Sequence, residues 1–222
     1  MDIIGVDIGH EWGLIQKRCT VEHQTVSLTP IKLKPIQRTT SVAVCILDSK
    51  HEMKIMSSRS HNAYKTDLPD GHAQQDVNIL IKCTTELILE VAHESSDIGG
   101  ISICGQMHGF MAWDGNLKPT TDLITWQDRR MTVDQCQQID KSLQPGYGVA
   151  TLDWFLKNEP DSLRNSVAVG TVMDYFVALL TSNPRIQMSP HNAQVCVSLK
   201  PKNIRHFILE LWMYERGLYL VI

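Results

Sequence analysis

The fold is indicated most clearly by residues 98–109, which read Ile98-Gly99-Gly100-Ile101-Ser102-Ile103-Cys104-Gly105-Gln106-Met107-His108-Gly109. The first seven are mainly apolar and lie among glycines, which predicts a short buried strand. An amide, a thioether and an imidazole follow directly. Ligands in α/β proteins lie beyond the carboxyl ends of strands, so these three side chains are candidates to contact one. The alternative is a plain turn with a solvated His108, and the local string favours neither.

A second polar segment, Trp126-Gln127-Asp128-Arg129-Arg130, follows a candidate strand at 123–126. Its position after a strand makes it another candidate for the binding site. The residues alone favour a simpler interpretation, because solvated charge clusters are common and exposed ion pairs contribute little to stability.

Strand and helix patterns alternate along the chain, which predicts an α/β fold with a mixed sheet. Residues 110–113 are expected to form a hairpin with 98–104, and the polar residues 57–73 are expected to be turn or loop. Further strands are predicted at 3–9, 40–48, 123–126 and 167–171, and helices at 74–94, 131–143, 152–157 and 173–181.

Composition narrows the class of protein. The chain has 222 residues, a net charge of −3 and a pI near 6.3, so it has no electrostatic footprint for nucleic acid or an anionic membrane. No apolar run approaches the ~20 residues that span a bilayer, and the amino terminus lacks the pattern of a signal peptide. The six cysteines form no Cys-x-x-Cys pair. We therefore expect a cytoplasmic protein without a zinc site or disulfide framework.

The amino-terminal strand ends in Asp7-Ile8-Gly9, which places a carboxylate at a strand end. Such a group can hold Mg²⁺ through water, because Mg²⁺ keeps several waters in proteins. Thr39, Thr40 and Ser41 offer hydroxyls and backbone N–H groups that suit nucleotide phosphates. This is not a Walker A loop, since Gly-x-x-x-x-Gly-Lys-Ser/Thr is missing from the sequence. Taken alone, Asp-x-Gly is more often a turn.

These segments together resemble a known family. With residues 10–38 set aside, Gly5–Gly9 joined to Thr39–Val42 resembles the opening phosphate hairpin of the FGGY family of carbohydrate kinases. The segments 105–109 and 126–129 resemble the sugar-site segments of the same family. The resemblance covers residues 1–9 and 39 to about 194.

Three further segments favour the branch of this family whose sugar is a seven-carbon ketose. They are Gln75–Val77, Gly146–Thr151 with Trp154, and Gly170–Tyr175. In the second of them Ala150-Thr151 stands where many members carry lysine. Two alternatives stay open: a branch that acts on a five-carbon ketose, and a non-catalytic fragment that binds sugar or another partner.

The resemblance implies a ribonuclease-H-like fold, as in actin and hexokinase, with a mixed sheet and flanking helices. Residues 1–194 would form an incomplete first domain of a two-domain kinase with a cleft between the domains. It implies ATP and Mg²⁺ as cofactors and a small ketose as substrate. The reaction would be transfer of the γ-phosphoryl group to a primary hydroxyl, which depends on positioning and electrostatics.

The resemblance also implies roles for individual residues. Asp7 would organise Mg²⁺ through water, and four neighbours would line the phosphates: Gly9, Thr39, Thr40 and Ser41. Three residues would contact the sugar: Gln106, Met107 and His108. Asp128 and Arg129 would shape or close that pocket. We expect Gln106, Met107, His108 and Asp128 to line one cleft with Asp7 within reach.

The chain departs from the family pattern in three respects: an insertion, a divergent carboxyl-terminal segment, and the lack of the family's catalytic base and second, nucleotide-binding domain. Residues 10–38 insert 29 residues into the phosphate hairpin, and we expect them to form a loop. Residues 1–9 and 39–50 should still pair as antiparallel strands, since each doubling of loop length costs only ~0.6 kcal/mol. Residues 195–222 diverge from the family before its catalytic base is reached. We therefore assign no catalytic residue and expect this chain as written to transfer phosphate negligibly.

Overall fold

The computed structural model describes residues 1–9 and 40–185. The described residues form two compact units: the first contains residues 1–9, 40–63 and 78–105, and the second contains residues 64–77 and 106–185. The expectations for 10–38 and for the tail 195–222 lie outside the described residues, as does Thr39.

The described residues contain both strands and helices, which confirms the predicted α/β class, although several strands follow one another without a helix between them. In chain order they are β1 (Asp2–Ile8), β2 (Ser41–Leu47), β3 (Met53–Ser60), β4 (Gln74–Gln75), α1 (Val77–Ala92), β5 (Ile98–Gly105), β6 (Met111–Trp113), β7 (Leu123–Ile124), α2 (Val133–Ile139), α3 (Gly148–Asn158), a 3₁₀ turn (Pro160–Leu163), β8 (Ala168–Gly170) and α4 (Val172–Thr181). None of the described helices is both long enough and apolar enough to cross a bilayer.

The first unit is built on a four-stranded sheet in the order β3-β2-β1-β5. β1 and β2 run antiparallel in register from Ile3 opposite Leu47 to Ile8 opposite Val42, which confirms the predicted pairing. The N–H of Gly9 adds a bond of 3.1 Å to the Ser41 carbonyl. β5 runs parallel to β1, so the sheet is mixed, as predicted.

One face of this sheet excludes water because large apolar side chains of both central strands line it. Ile4, Val6 and Ile8 lie directly opposite Ile46, Val44 and Val42, and all six are at most 2% exposed. Side chains of this size each contribute about 1.5–3 kcal/mol by leaving water. Arg59 of β3 shares the face, and its guanidinium bonds Glu90 of α1 at 2.6 Å. Helix α1 therefore covers this face.

Strand β3 corrects one prediction. The sequence pattern indicated turn or loop from residue 57, whereas the strand extends through Ser60 and pairs with β2. It is an edge strand of the sheet, and most of its side chains are partly or fully exposed. Edge positions of this kind do not need alternating apolar residues, so the polar run Ser57-Ser58-Arg59-Ser60 carried no strand signal.

The second unit is built from short antiparallel pairs. β4 pairs with β7, and β6 pairs with β8. Phe110 and Ile124 exchange two backbone bonds of 2.8 Å, which links the two pairs. The predicted hairpin between 98–104 and 110–113 is wrong, because β5 pairs with β1. Small residues explain the actual partner: Trp113 lies opposite Ala168, and a Cβ on Gly170 would come within 3.2 Å of the indole.

The helices of the second unit pack apolar side chains onto these strands. One cluster contains Phe110, Ala112, Ile124, Phe155, Leu163 and Val169. Capping boxes begin α2 at Thr132 and α4 at Thr171. Helix α3 begins four residues before its predicted start, at Gly148. Its N-cap is Tyr147, which makes no side-chain cap bond, so the usual start signal is missing.

Gly5 is a close-packing point between the two central strands. A Cβ at Gly5 would lie 2.8 Å from the Sγ of Cys45, which is fully buried. We expect Gly5→Ala to lower the free energy of unfolding by about 1–3 kcal/mol through overpacking. The double variant Gly5→Ala/Cys45→Ala should recover part of that loss in urea denaturation.

The matched control for this substitution is Gly100→Ala in β5 of the same sheet. A Cβ at Gly100 meets no atom within 4 Å, so this change should be close to neutral. Equal losses for Gly5→Ala and Gly100→Ala would show that the sheet tolerates a methyl group at both places, contrary to the packing described.

The contacts of Asp2 make the stability of the first unit depend on pH. The Lys54 ammonium donates to both carboxylate oxygens, at 2.9 and 2.8 Å, and the Ser95 hydroxyl donates at 2.7 Å. The bond from Lys54, and then that from Ser95, lowers the pKa of Asp2 below its ordinary value. Stabilisation by Asp2 is therefore present above the unfolded-state pKa of about 3.9 and is lost as the pH falls through the folded-state pKa.

We expect Lys54→Met to raise the pKa of Asp2 and to shrink the loss of stability between about pH 6 and pH 3. Carboxyl carbon NMR titration would follow the pKa, and urea midpoints at the two pH values would follow stability. Lys50→Met, which removes an exposed lysine on the neighbouring turn, is the control. An unchanged Asp2 titration in Lys54→Met would contradict this account.

Candidate functional site

The turn after β5 presents His108 in an unusual backbone conformation. His108 has φ of 65°, in the left-handed region that side-chain-bearing residues rarely adopt. Its half-buried imidazole stacks on the ring of Tyr147, with centroids 4.3 Å apart and planes within 7°. Five other described residues share this backbone conformation, so this turn becomes the first candidate through its position directly after β5 and the stacked ring together with the strain.

Gln106 anchors the same turn from inside the second unit. It is fully buried, and its Nε2 donates to Oε1 of Gln75 at 2.9 Å. Its own Oε1 is buried and accepts no hydrogen bond from any described residue. A buried carbonyl oxygen left in that condition costs about 1–3 kcal/mol, so a hydroxyl or water donor at this point would be stabilising.

Asp128 is committed to contacts within the protein. It is 1% exposed, and its Oδ2 accepts the N–H of Ala73 at 2.8 Å. Its Oδ1 accepts the N–H of Arg130 at 3.0 Å, and the Arg130 side chain binds both oxygens, at 2.9 and 3.1 Å. The carboxylate therefore organises the loops around it.

Arg130 is the buried cation of this loop. Its side chain is 2% exposed, and its guanidinium carbon lies 4.7 Å from the ring centroid of Trp154 and 5.1 Å from that of Phe155. A charge held between a carboxylate and aromatic faces has little freedom to move. The sequence pointed to the adjacent Arg129, since nothing in the spacing tells two consecutive arginines apart.

Arg129 ties two loops together through backbone carbonyls. Its Nη1 donates to Trp126 and Asp128 at 2.9 Å each and to Pro145 at 3.4 Å. Gly146 follows with φ of 87° and packs against the Trp126 carbonyl. Tyr147, the residue stacked on His108, comes next. The second unit therefore brings the His108 turn, Tyr147 and the 126–129 loop into one place.

The predicted sugar-site residues differ in how far they are exposed to solvent. Gln106 and Asp128 are buried, Met107 and His108 are half-buried, and Arg129 is exposed. Met107, His108 and Arg129 therefore offer side-chain surface to solvent, whereas Gln106 and Asp128 do not. Asp128 and Arg129 act through the contacts described above, and their predicted part in a sugar pocket stays a prediction. Sequence reasoning missed Gln75 and Tyr147 as structural partners, although both lay in segments that carried the family resemblance.

Of the predicted nucleotide residues, the four that the structure describes lie in the first unit where β1 ends and β2 begins: Asp7, Gly9, Thr40 and Ser41. Asp7 is 1% exposed near the carboxyl end of β1, between Ala43 of β2 and Cys104 of β5. Gly9 turns the chain with φ of 79°. The carbonyl of Thr40 accepts from the N–H of His61 at 3.0 Å and from Ser60 Oγ at 3.1 Å. Gly9 and Ser41 are joined by the backbone bond already described.

The oxygen donor that Asp7 supplies at the end of β1 suits an ion that takes few of its ligands from the protein. Among the described residues there is no group of three or more His, Cys, Asp or Glu side chains that could hold a metal ion. A single buried carboxylate fits Mg²⁺ held mainly by waters and phosphates. Asp7 belongs to the first unit and residues 106–128 to the second, so the predicted shared cleft stays a prediction.

Comparison with known proteins identifies the family to which this chain belongs. Residues 37–196 match the model of the N-terminal domain of the FGGY family of carbohydrate kinases. This match covers most of the chain, and the chain belongs to that family, as the sequence motifs predicted.

Individual members of the family differ in how similar their sequences are to this chain. Sedoheptulokinases of Mus musculus and Homo sapiens are each 32% identical over 146 residues, covering 56% of this chain and 30% of the relative. A xylulose kinase of Lactococcus lactis is 26% identical over 170 residues, covering 69% of this chain and 34% of the relative. The chain thus spans about a third of the length of the curated relatives it matches.

Solved structures confirm the predicted fold class. A gluconate kinase from Lactobacillus acidophilus superposes with a TM-score of 0.71 at 16% identity, covering 100% of this chain and 42% of the other. A ligand-bound xylulose kinase from the same organism gives 0.70 at 16% identity, with the same coverage. The fold is the α/β, ribonuclease-H-like type of the actin and hexokinase group.

Gly146 provides a test of how the site is assembled. A Cβ at this position would overlap the Trp126 carbonyl oxygen, and the positive φ disfavours any side chain. We expect Gly146→Ala to destabilise the second unit by at least about 2 kcal/mol and to disturb the His108–Tyr147 stack. Urea denaturation and the ring-proton NMR shifts of His108 would measure the two effects.

The control is Gly115→Ala in the turn after β6. The nearest atom to its Cβ would be Val167 Cγ1, at an ordinary 3.9 Å. This variant should keep both stability and the His108 signals. A Gly146→Ala protein as stable as Gly115→Ala would refute the close contact between the two loops.

Proposed function

We propose that this chain carries the sugar-binding part of an ATP-dependent ketose kinase and that its sugar is sedoheptulose. The observation that carries the proposal is the strained turn at 106–108, with His108 stacked on Tyr147, in a domain of a carbohydrate kinase family. In the complete kinase the reaction would be transfer of the γ-phosphoryl group of ATP to a primary hydroxyl of the ketose, giving sedoheptulose 7-phosphate, whereas this chain as written is expected to transfer phosphate negligibly.

The proposed sugar contacts follow from the chemistry of the turn. The His108 imidazole is fixed by the Tyr147 ring and can exchange hydrogen bonds with sugar hydroxyls. The Met107 thioether offers a polarizable apolar surface for the C–H faces of the sugar. Gln106 Oε1 is an acceptor for a hydroxyl or a bridging water. Sites for small polar ligands commonly combine a few placed polar groups with such apolar walls.

On the nucleotide side, we propose that Asp7 organises Mg²⁺ through its waters. The residues proposed to line the phosphates of ATP are Gly9, Thr39, Thr40 and Ser41. Mg²⁺ would neutralise charge on the phosphates during transfer, which is how the ion contributes in phosphoryl transfer generally. The carboxylate of Asp7 is buried near the carboxyl end of β1.

The choice of sedoheptulose rests on the relatives and on one segment. The sedoheptulokinases are 32% identical to this chain, whereas the xylulose kinases are 24–29% identical. Ala150-Thr151, in the first turn of α3, matches the sedoheptulokinase pattern, where many family members carry lysine. Thr151 is 3% exposed, so a lysine there would need different surroundings. Xylulose is the competing sugar.

The test is direct binding of sugar to the full chain, which does not depend on turnover. Isothermal titration with sedoheptulose and with xylulose would give both dissociation constants. We expect tighter binding of sedoheptulose, and we expect His108→Ala to weaken it about tenfold, since a lost hydrogen bond is worth about 1 kcal/mol or slightly more.

His93→Ala, which removes an exposed histidine just beyond the end of α1, is the matched control and should bind sugar like the parent chain. Tighter binding of xylulose would reassign the substrate. Equal affinities for the His108→Ala and His93→Ala variants would remove His108 from the proposed site.

A further inference from the structure

We infer that Arg130 is a positioning residue for the sugar-binding turn, acting through Asp128 and the segment 71–75. This inference rests on the proposed function, because it assigns a distant support to the same turn. Arg130 itself is buried against Trp154 and Phe155, so it acts through other residues.

The first step is the fixed geometry of Arg130. Its Nε and Nη2 bind the two oxygens of Asp128 at 2.9 and 3.1 Å, and the planar group lies against the two rings. With the Gln74 amide oriented to satisfy its neighbours, the Gln74 oxygen accepts from Nη2 at 3.0 Å and its nitrogen donates to Asp122 at 2.8 Å. A planar fork held on three sides fixes Asp128 in one orientation.

The second step runs from Asp128 to the segment 71–75. Asp128 Oδ2 accepts the N–H of Ala73 at 2.8 Å. On the other side of the same residue, the Ala73 carbonyl accepts the N–H of Thr125 at 3.0 Å. The Gly71 carbonyl accepts the N–H of Arg129 at 2.6 Å. The segment is therefore held by the 125–129 loop, and the buried carboxylate holds its central N–H.

The third step runs from this segment to the sugar-binding turn. Gln75 lies two residues after Ala73, is fully buried and accepts from Gln106 Nε2 at 2.9 Å. Gln106 is two residues before His108, whose left-handed backbone must be maintained by its surroundings. A shift of the 71–75 segment would move the Gln75 amide and release the turn. Arg130, Asp128, Gln75 and Gln106 thus form one buried path.

Lysine cannot replace arginine in this path. An ammonium is a point charge that can pair with Asp128, but it lacks the planar fork and the stacking face. Arg130→Lys therefore keeps the buried charge balanced while removing the orientation of Asp128. This substitution separates positioning from simple charge compensation.

The experiment compares Arg130→Lys with the parent chain by two readouts. The first, without sugar, is the His108 ring-proton NMR shift, which stacking on Tyr147 moves away from its free value. The second is the dissociation constant for sedoheptulose. We expect Arg130→Lys to lose most of the stacking shift and to bind at least tenfold more weakly. Thr171→Ala, which loses the cap of α4, should lose stability but keep both readouts.

Each outcome decides between the alternatives. A folded Arg130→Lys protein with the parent shift and affinity overturns the inference. Loss of both readouts in Thr171→Ala as well would reduce Arg130 to a structural role. If the parent chain binds no sedoheptulose, the proposed function fails while the His108 shift still tests the path. If Arg130→Lys does not fold, Gln75→Leu tests the same path without unpairing a buried charge, and an unchanged His108 shift there overturns it.

Discussion

The second unit depends on one buried ion pair, between Asp128 and Arg130. Two charges this far from water are costly, and they are tolerated because both carboxylate oxygens of Asp128 accept two hydrogen bonds each, among them those from Nε and Nη2 of Arg130. The pair is small, yet it joins the loop after β7, the segment before β4 and the aromatic side chains of α3. Removing either partner would leave an uncompensated buried charge, which is why the loops cannot rearrange independently.

The ion pair also explains why a polar sequence segment is structural. Five consecutive residues from Trp126 to Arg130 contain one acid and two bases, which by composition predicts a solvated surface. The structure divides their roles: Asp128 and Arg130 are buried together, whereas Arg129 reaches over the backbone carbonyls of two loops. The candidate sugar contacts, Met107 and His108, are thus supported by charges that need not contact sugar at all.

The features that could be predicted are those visible directly in the sequence, as runs of apolar residues or as family motifs. The apolar character of residues 3–9 and 40–48, on either side of a polar segment, predicted that β1 and β2 pair, and family motifs located the His108 turn. Features set by tertiary contacts were not predictable. The edge strand β3 has no apolar face to signal it. β6 pairs with β8, where Ala168 and Gly170 leave room beside Trp113. No periodicity separates Arg129 from Arg130, since only the packing of Trp154 selects between them.

The position of β1 has a consequence for the order of folding. Its hydrogen-bonded neighbours are distant in sequence: Ile8 pairs with Val42, and Asp2 pairs with Ile98. No local hairpin can nucleate such a strand, and loop-closure entropy must be overcome before either neighbour stabilises it. The strand that carries Asp7 is therefore expected to join the native state late. The end of β1 that carries Asp7 would then be assembled only after much of the remaining sheet has reached its register.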